Sequence, residues 1–277
     1  MTDSRKQRAG KQGIIRMERR AQMIRCRDVL EFLQELAPFE LAEEWDNVGL
    51  MAGSENKNVN RMLLCLDVTA AAINKAADIQ ADLIVTHHPL IFKGLKRVTE
   101  DDIQGSRIYA AISNGISVIS AHTNLDHADT GVNARLASVL GLSDTEVFGR
   151  GPGRVGILKK KTSLEAFVCH VRKCLDVPHV AVIGRAPAGV RKVAVFSGSF
   201  DDDLCAVKNS GADVTVTGEL KYHTALDARE AGMCFIAAGH FHTERVVLPY
   251  LAEALAERFP ETEVICFEQE ADPFIVY

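Results

Sequence analysis

The chain has 277 residues and a mass of 30.3 kDa, long enough for one large or two coupled domains. With 47% hydrophobic and 25% charged residues it cannot be largely disordered, and its uncharged apolar runs fall far short of the roughly 18 residues that a bilayer span needs. The net charge of −5 is unevenly spread: nine Lys and Arg stand against Asp3 and Glu18 in residues 1 to 27, so the remainder is more acidic still, which argues against a duplex-binding face.

Residues 1 to 22 are basic and lack the apolar stretch of a secretory signal, so a disordered basic extension is expected there. An amphipathic helix begins near Met23, with Val29, Leu30, Leu33 and Leu36 at helical spacing. RMLLCLDV (61 to 68) then reads as a strand, TAAAINKAADI as a helix and DLIVTHH as the next strand. GSRIYAAISNG is helical in pattern, ISVISAH (116 to 122) is a strand, and GVNARLASVLG closes the unit as a helix. Residues 151 to 190 hold GRVGIL, the helix SLEAFVCHVRKCLD and the strand HVAVIG, bracketed by Gly and Pro turns. They read as a small connecting unit in which His170 and His179 serve packing or surface.

From residue 191 the first plan repeats. KVAVFSG, ADVTVTG and CFIAAGH are strands, separated by the helices DDDLCAVKNSG and KYHTALDAREAG and followed by the long helix TERVVLPYLAEALAERF. An acidic residue opens the similar strands ADLIVT and ADVTVT. The expectation is an α/β fold of two similar βαβαβ-type halves, 23 to 150 and 191 to 277, forming mixed sheets flanked by helices and packed against each other. Seven cysteines without a CxxC pair, mostly in apolar runs, read as small buried hydrophobes in a reducing compartment, and a cytoplasmic location is expected.

Polar residues fall at corresponding places in the two halves. The third strand of each ends in a histidine followed four residues later by a carboxylate: His122 with Asp126 in HTNLD, and His240 with Glu244 in HFHTE. Carboxyl ends of strands are where open α/β sheets bind ligands. In DLIVTHHPLIF, His87 and His88 stand side by side at another such end. Imidazole nitrogens and carboxylate oxygens without thiols suit divalent first-row metals. Neighbouring side chains on an extended backbone diverge, so the doublet suits two ions rather than one. Asp126 and Glu244, having two oxygens each, are the bridging candidates.

EEWDNVGL (43 to 50), DLIVTHHPLIF, AHTNLD followed by GVN, and TGE before GHFHTE occur in that order. They resemble the Nif-three-like dinuclear metal-centre hexameric protein family, whose bacterial members are often labelled GTP cyclohydrolase I type 2 homologs. The resemblance covers about residues 23 to 277, in the short form without a central insert. It implies five metal ligands, His87, His88, Asp126, His240 and Glu244, and a cleft holding two divalent ions, zinc, manganese, iron or nickel. It leaves His122 as a supporting group or a catalytic proton shuttle, and it implies a toroidal homohexamer.

The function expected is that of a metal-dependent hydrolase acting on a small molecule or nucleotide, GTP cyclohydrolase-like by the family label. The alternatives are a phosphoesterase on the same metals and a non-catalytic, metal-loaded scaffold. No GxxxxGK[ST] or GxGxxG occurs, so phosphates would fall to the metals or to basic residues such as Lys93, Lys96 and Arg97. GHFH is similar to the closing motif of calcineurin-like phosphoesterases, but their DxH, GDxxD and GNH[DE] are absent. Trp45 and Asp46 would border the cleft, His127 and His223 could meet substrate anions, and His242 is an orienting residue or a bystander. Neither a membrane nor a nucleic-acid partner is expected.

Overall fold

Short runs of Leu, Ile and Val that are buried on both sides build parallel strands, and helices must then cover both faces of the sheet they form. The computed structural model describes residues 23–185, 188–200 and 204–275; the basic extension expected over residues 1 to 22 lies outside them. Helix α1 (Cys26–Leu36) turns Val29 and Leu33 fully inward. Its start is fixed by Asp28, whose carboxylate accepts the Arg25 backbone N–H at 2.7 Å.

After the edge strand β1 (Gly49–Ala52), the first repeat unit runs β2 (Arg61–Cys65), α2 (Ala70–Asp78), β3 (Leu83–Thr86), α3 (Ile103–Ser113) and β4 (Ser117–Ser120). Thr69 and Asp102 cap the two helices by accepting the N–H groups of Ala72 and Gly105. Two helices, α4 (Thr123–His127) and α5 (Val132–Val139), lead out of this unit.

The chain then lays down β5 (Leu142–Val147), β6 (Arg154–Thr162), α6 (Leu164–Leu175) and β7 (Ala181–Ile183). The second repeat unit follows as β8 (Val190–Phe200), α7 (Leu204–Ser210), β9 (Val214–Leu220), α8 (Tyr222–Glu230) and β10 (Phe235–Ala237). It ends in α9 (His240–Glu244), α10 (Leu248–Arg258) and β11 (Glu263–Cys266).

Among the described residues the strands form two mixed sheets, ordered β1-β4-β3-β2-β11 and β5-β6-β8-β9-β10-β7. The parallel cores, β2-β3-β4 and β8-β9-β10, are the two repeat units. Their likeness reaches single hydrogen bonds. Asp82, ahead of β3, accepts the backbone N–H groups of Asn60 and Arg61, and Asp213, ahead of β9, accepts those of Arg191 and Lys192. These are the acidic residues that open the two similar strand sequences.

The sheets do not follow the residue boundaries at 150 and 190. β5 precedes the first boundary and pairs with β6 in the second sheet, while β11, near the C-terminus, returns to pair in parallel with β2. β6 and β7, from the stretch read as a connecting unit, are hydrogen-bonded into the second sheet. Each sheet buries apolar side chains on both faces. One cluster joins the halves: Leu125 and Val132 pack with Phe241 and Val247, and with Met62 and Leu64 of β2. Burying one such side chain stabilises by roughly 1.5–3 kcal/mol, so the halves are held in fixed register.

No helix among the described residues is long and apolar enough to cross a membrane.

Candidate metal centre

The HH doublet follows directly on β3, the middle strand of its parallel core, and the backbone continues the strand's hydrogen bonding. His87 N donates to Cys65 O at 3.3 Å and His88 N to Leu66 O at 2.8 Å. From there the rings reach in different directions. His87 Nδ1 lies 2.9 Å from Ala121 O, just past β4, and His88 Nδ1 lies 3.1 Å from Asp67 Oδ1, just past β2. The Nδ1 anchors lie on different strands, but the divergence expected of the two side chains is not seen at their ligand atoms, which fall within 4.8 Å of each other. The rings themselves stay close, with centroids 4.9 Å apart.

His122 precedes α4, with Asp126 one turn further on, and Asp46 Oδ1 lies 2.9 Å from its Nδ1. In the second half α9 spans HFHTE. Helical spacing puts His240 and Glu244 on one face, with Nε2 and Oε1 3.0 Å apart, while His240 Nδ1 faces Glu219 Oε1 at 3.1 Å. All four imidazoles therefore have Nδ1 held by an oxygen acceptor, which turns Nε2 toward the centre of the cluster. Metal-binding histidines are held in this way by their surroundings.

Close approach of α9 to β8, both in the second half, depends on Gly198. Its φ of +63° is the left-handed region, and a Cβ there would stand 2.2 Å from Glu244 Oε1. Gly218 in β9 is similarly required, since its Cβ would meet the Gly198 carbonyl and the His240 backbone.

Ligand atoms of His87, His88 and His122 lie within 4.8 Å of one another, as do those of His88, His240 and Glu244. These groups could hold metal ions. His87 Nε2 is buried without a hydrogen-bond partner, as is Glu244 Oε2. The latter lies 3.1 Å from His88 Nε2, close enough for an ionic contact but outside hydrogen-bond geometry. His87 Nε2 also stands 3.8 Å from Asp126 Oδ1 and 3.9 Å from Glu244 Oε1. Those separations are too long for hydrogen bonds and about what two ligands of one ion show at bond lengths of about 2.0–2.2 Å. Buried polar atoms are costly when unpaired, so the donor set fits a cation.

The electrostatics agree. Burial pushes His87 down to about 3, so it stays neutral with its lone pair available. Burial also opposes the charged form of His88 and His240, but nearby carboxylates outweigh it: Asp67 and Glu244 raise His88, and Glu244 and Glu219 raise His240 to about 9. Glu244, despite burial, is held below the ordinary range by His240 and His88, whereas Asp126 is pushed well up by burial and by the charge of Glu244. A buried cluster that would otherwise have to share protons between carboxylates and imidazoles is one that a divalent cation would stabilise.

All six sequence-derived site residues, His87, His88, His122, Asp126, His240 and Glu244, are thus brought together. Asp126 lies at the margin, outside the two tight groups, with Ser197 Oγ 3.5 Å from its Oδ1. Trp45, Phe92, His127 and Arg150 line the same cleft, of about 540 Å³. His127 faces Glu43 at 3.1 Å, while the exposed His223 packs on Tyr222 outside the cleft lining. Lys93, Lys96 and Arg97 are exposed and lie outside it as well. His242 is turned to Leu175 O and Asp272, and His170 to Leu140 O.

Sequence reasoning missed Asp67, Glu219 and Arg150. The two carboxylates carry a positional signal, Asp67 just past β2 and Glu219 at the end of β9, on strands that pair with those the histidines follow. Arg150 sits in an unremarkable Gly-Pro loop and carries none.

The family Duf34/NIF3 (NGG1p interacting factor 3) matches residues 24–273. A Clostridium perfringens protein named GTP cyclohydrolase 1 type 2 homolog is 34% identical over 259 residues, covering 91% of this chain and 99% of its own. A Helicobacter pylori (strain 26695) protein named GTP cyclohydrolase 1 type 2 is 34% identical over 235 residues, covering 84% and 92%. Among solved structures, a Staphylococcus aureus hypothetical protein superposes with a TM-score of 0.86 at 28% identity, covering 92% of this chain and all of the other. Fold, motif order and full-length similarity agree, and the chain belongs to the Duf34/NIF3 family.

Proposed function

We propose that the protein is a dinuclear divalent-metal-dependent hydrolase of small molecules, with a nucleotide as the substrate class. His87, His88, Asp126, His240 and Glu244 would hold the ions. The observation that carries this reading is the pair of buried atoms without a hydrogen-bond partner, His87 Nε2 and Glu244 Oε2, within the clustered imidazoles and carboxylates. When bound, such ions supply Lewis acidity and acidify water.

The chain's own residues do the rest. Ala121 O, Asp67 and Glu219 fix the rings of His87, His88 and His240. Asp46 fixes His122, leaving its Nε2 free to take a proton from water or deliver one to a leaving group. The names of the Clostridium and Helicobacter relatives support GTP as the first substrate to try. In the same reading the protein acts in the cytoplasm as a homohexamer.

A second role for His122 is favoured by its place within 4.8 Å of the ligand atoms of His87 and His88, namely as a further metal ligand. His122→Ala separates the two: a proton carrier loses rate at full metal content, a ligand loses metal as well.

The test is elemental analysis of the purified protein, followed by GTP and a phosphoester panel with and without chelator. Two equivalents of metal per chain, and formate release from GTP that chelation and Glu244→Gln both abolish, are expected. Phosphate release from the panel in place of formate release would make the protein a phosphoesterase. Metal without any turnover would leave a scaffold and refute the hydrolase.

A further inference from the structure

Trp45 and Phe92 line the cleft, yet they are 55% and 41% exposed. An indole has much apolar surface to bury, and this chain has a single Trp. Standing at the wall of the cleft beside an open phenylalanine, it presents apolar surface that a ligand in the cleft would cover.

The pair is also firmly held. Asp46, next to Trp45, accepts from Thr123 N at 3.0 Å and bonds His122 at 2.9 Å, and Glu43 N donates to Thr123 Oγ1 at 3.0 Å. Asn47 Nδ2 donates to Ile91 O at 2.5 Å, tying the Trp45 segment to the loop that carries Phe92. The Trp45 and Phe92 centroids are 5.6 Å apart at 50°, and each ring stands edge-on to the His122 imidazole, at 6.1 and 6.2 Å. The two aromatic rings thus form a corner one ring away from the candidate metal residues. Arg150 lines the same cleft and is its one Lys or Arg among the described residues.

We propose that Trp45 and Phe92 form a stacking shelf that selects a flat heteroaromatic ring carrying an anionic substituent, with the ring on the shelf and the anion at Arg150. This rests on the reading of the cleft as a small-molecule site. The volume of about 540 Å³ suits a ligand of nucleotide size. An alkyl ligand would satisfy the aromatic corner but offer no charge to the Arg150 guanidinium. Base-on-aromatic stacking tolerates any base because every base has a π-face, so the shelf predicts preference for a ring over no ring, and Arg150 preference for a charged ring over a neutral one.

Because Trp45 is the only tryptophan, its emission reports on the shelf alone. The metal-loaded full-length protein is titrated with GTP, ATP and flavin mononucleotide, and with ribose 5-phosphate as the ring-free probe, using free N-acetyltryptophanamide as the inner-filter control. Saturable quenching by at least one ring-bearing probe and none by ribose 5-phosphate is expected. Phe92→Ala should weaken that binding by about tenfold or more, and Trp45→Ala should do the same by calorimetry, each with metal content unchanged. Arg150→Gln should weaken GTP but not guanosine.

Equal quenching by ribose 5-phosphate, no saturable response to any probe, or unaltered affinity in both aromatic variants overturns the shelf. Failure of the hydrolase reading is distinct. Ring binding that is lost in Phe92→Ala, in a protein without turnover, keeps the shelf and removes the hydrolase. Turnover with unchanged KM in both aromatic variants does the reverse.

Discussion

Asp46 is the clearest place to test whether the Trp45 segment is held as described. Its side chain is fully buried. Oδ1 faces His122 Nδ1 and accepts from Asn47 N at 2.8 Å, and Oδ2 accepts from Thr123 N at 3.0 Å and from the Thr123 hydroxyl. In Asp46→Asn the amide oxygen can keep one of these pairs, but the NH2 then points at donors. The Thr123 hydroxyl can turn and accept; its backbone N–H cannot. One buried donor left unpaired costs about 1–3 kcal/mol, and loss of the charge on the retained bonds costs about 1 more. The expected destabilisation is therefore about 2–4 kcal/mol at pH 7, read from urea midpoints at constant m.

The pH dependence has a definite sign. Burial alone would raise the Asp46 carboxyl, but the bonds from His122 and Thr123 outweigh it and hold it well below its ordinary 3.8. A depressed folded value means the contribution is complete above the unfolded pKa and is lost as pH falls through the folded one. The gap between wild type and Asp46→Asn should therefore narrow as pH drops below about 4. A gap under about 0.5 kcal/mol at neutral pH, the ordinary scatter of surface changes, or one that widens on acidification, would refute the account.

Two further substitutions separate backbone strain from damage to the metal residues. Gly198→Ala and Gly211→Ala both place a side chain at positive φ, +63° and +69°, a cost of about 1–2 kcal/mol. Only at Gly198 does the new Cβ strike Glu244 Oε1, since nothing lies within 4 Å at Gly211. Both variants should lose stability in calorimetry, but only Gly198→Ala should lose metal by elemental analysis; equal metal content in the two would sink the assignment of Glu244. Glu270 accepts Leu66 N and Asp67 N at 2.8 Å each, bracing the turn whose Asp67 anchors His88. Glu270→Gln should reduce metal affinity by about tenfold, the scale on which outer supports of metal ligands act, measured by competition with a chromogenic chelator.

Much of the fold was legible because the chain repeats itself. A short run such as LLCL or LIVT, without polar alternation and bounded by turn formers, reads as a strand buried on both faces, and helical spacing between such runs gives the βαβ order. What the sequence hid was the exchange of strands. β5 is exposed along most of its length and carries no strong strand pattern, so its place in the second sheet was not readable. β11 joins β2 across some 200 positions of chain, a pairing that no local pattern encodes. The candidate metal residues were legible for the opposite reason. Histidine with a carboxylate four positions on, placed after an apolar strand, is local information.

The Nδ1 anchors fall between these cases, and they show how far such reading can be taken. His88 and Asp67 are 21 positions apart, and so are His240 and Glu219. That interval is one strand-helix-strand crossover. Cys65 pairs with Thr86 in the β2–β3 register, also 21 apart, and Thr217 pairs with Ala237 in β9–β10, 20 apart. A carboxylate at or just beyond the end of one strand and a histidine just beyond the next must then emerge side by side, because parallel neighbours end at the same edge of the sheet. His122 and Asp46, 76 positions apart, follow no such rule: β1, which follows Asp46, pairs antiparallel with β4. The anchors of His88 and His240 thus belong to the repeat unit itself, while the anchor of His122 arrives with the Trp45 segment. Loosening that segment should therefore disturb His122 and the aromatic corner together and leave His88 and His240 in place.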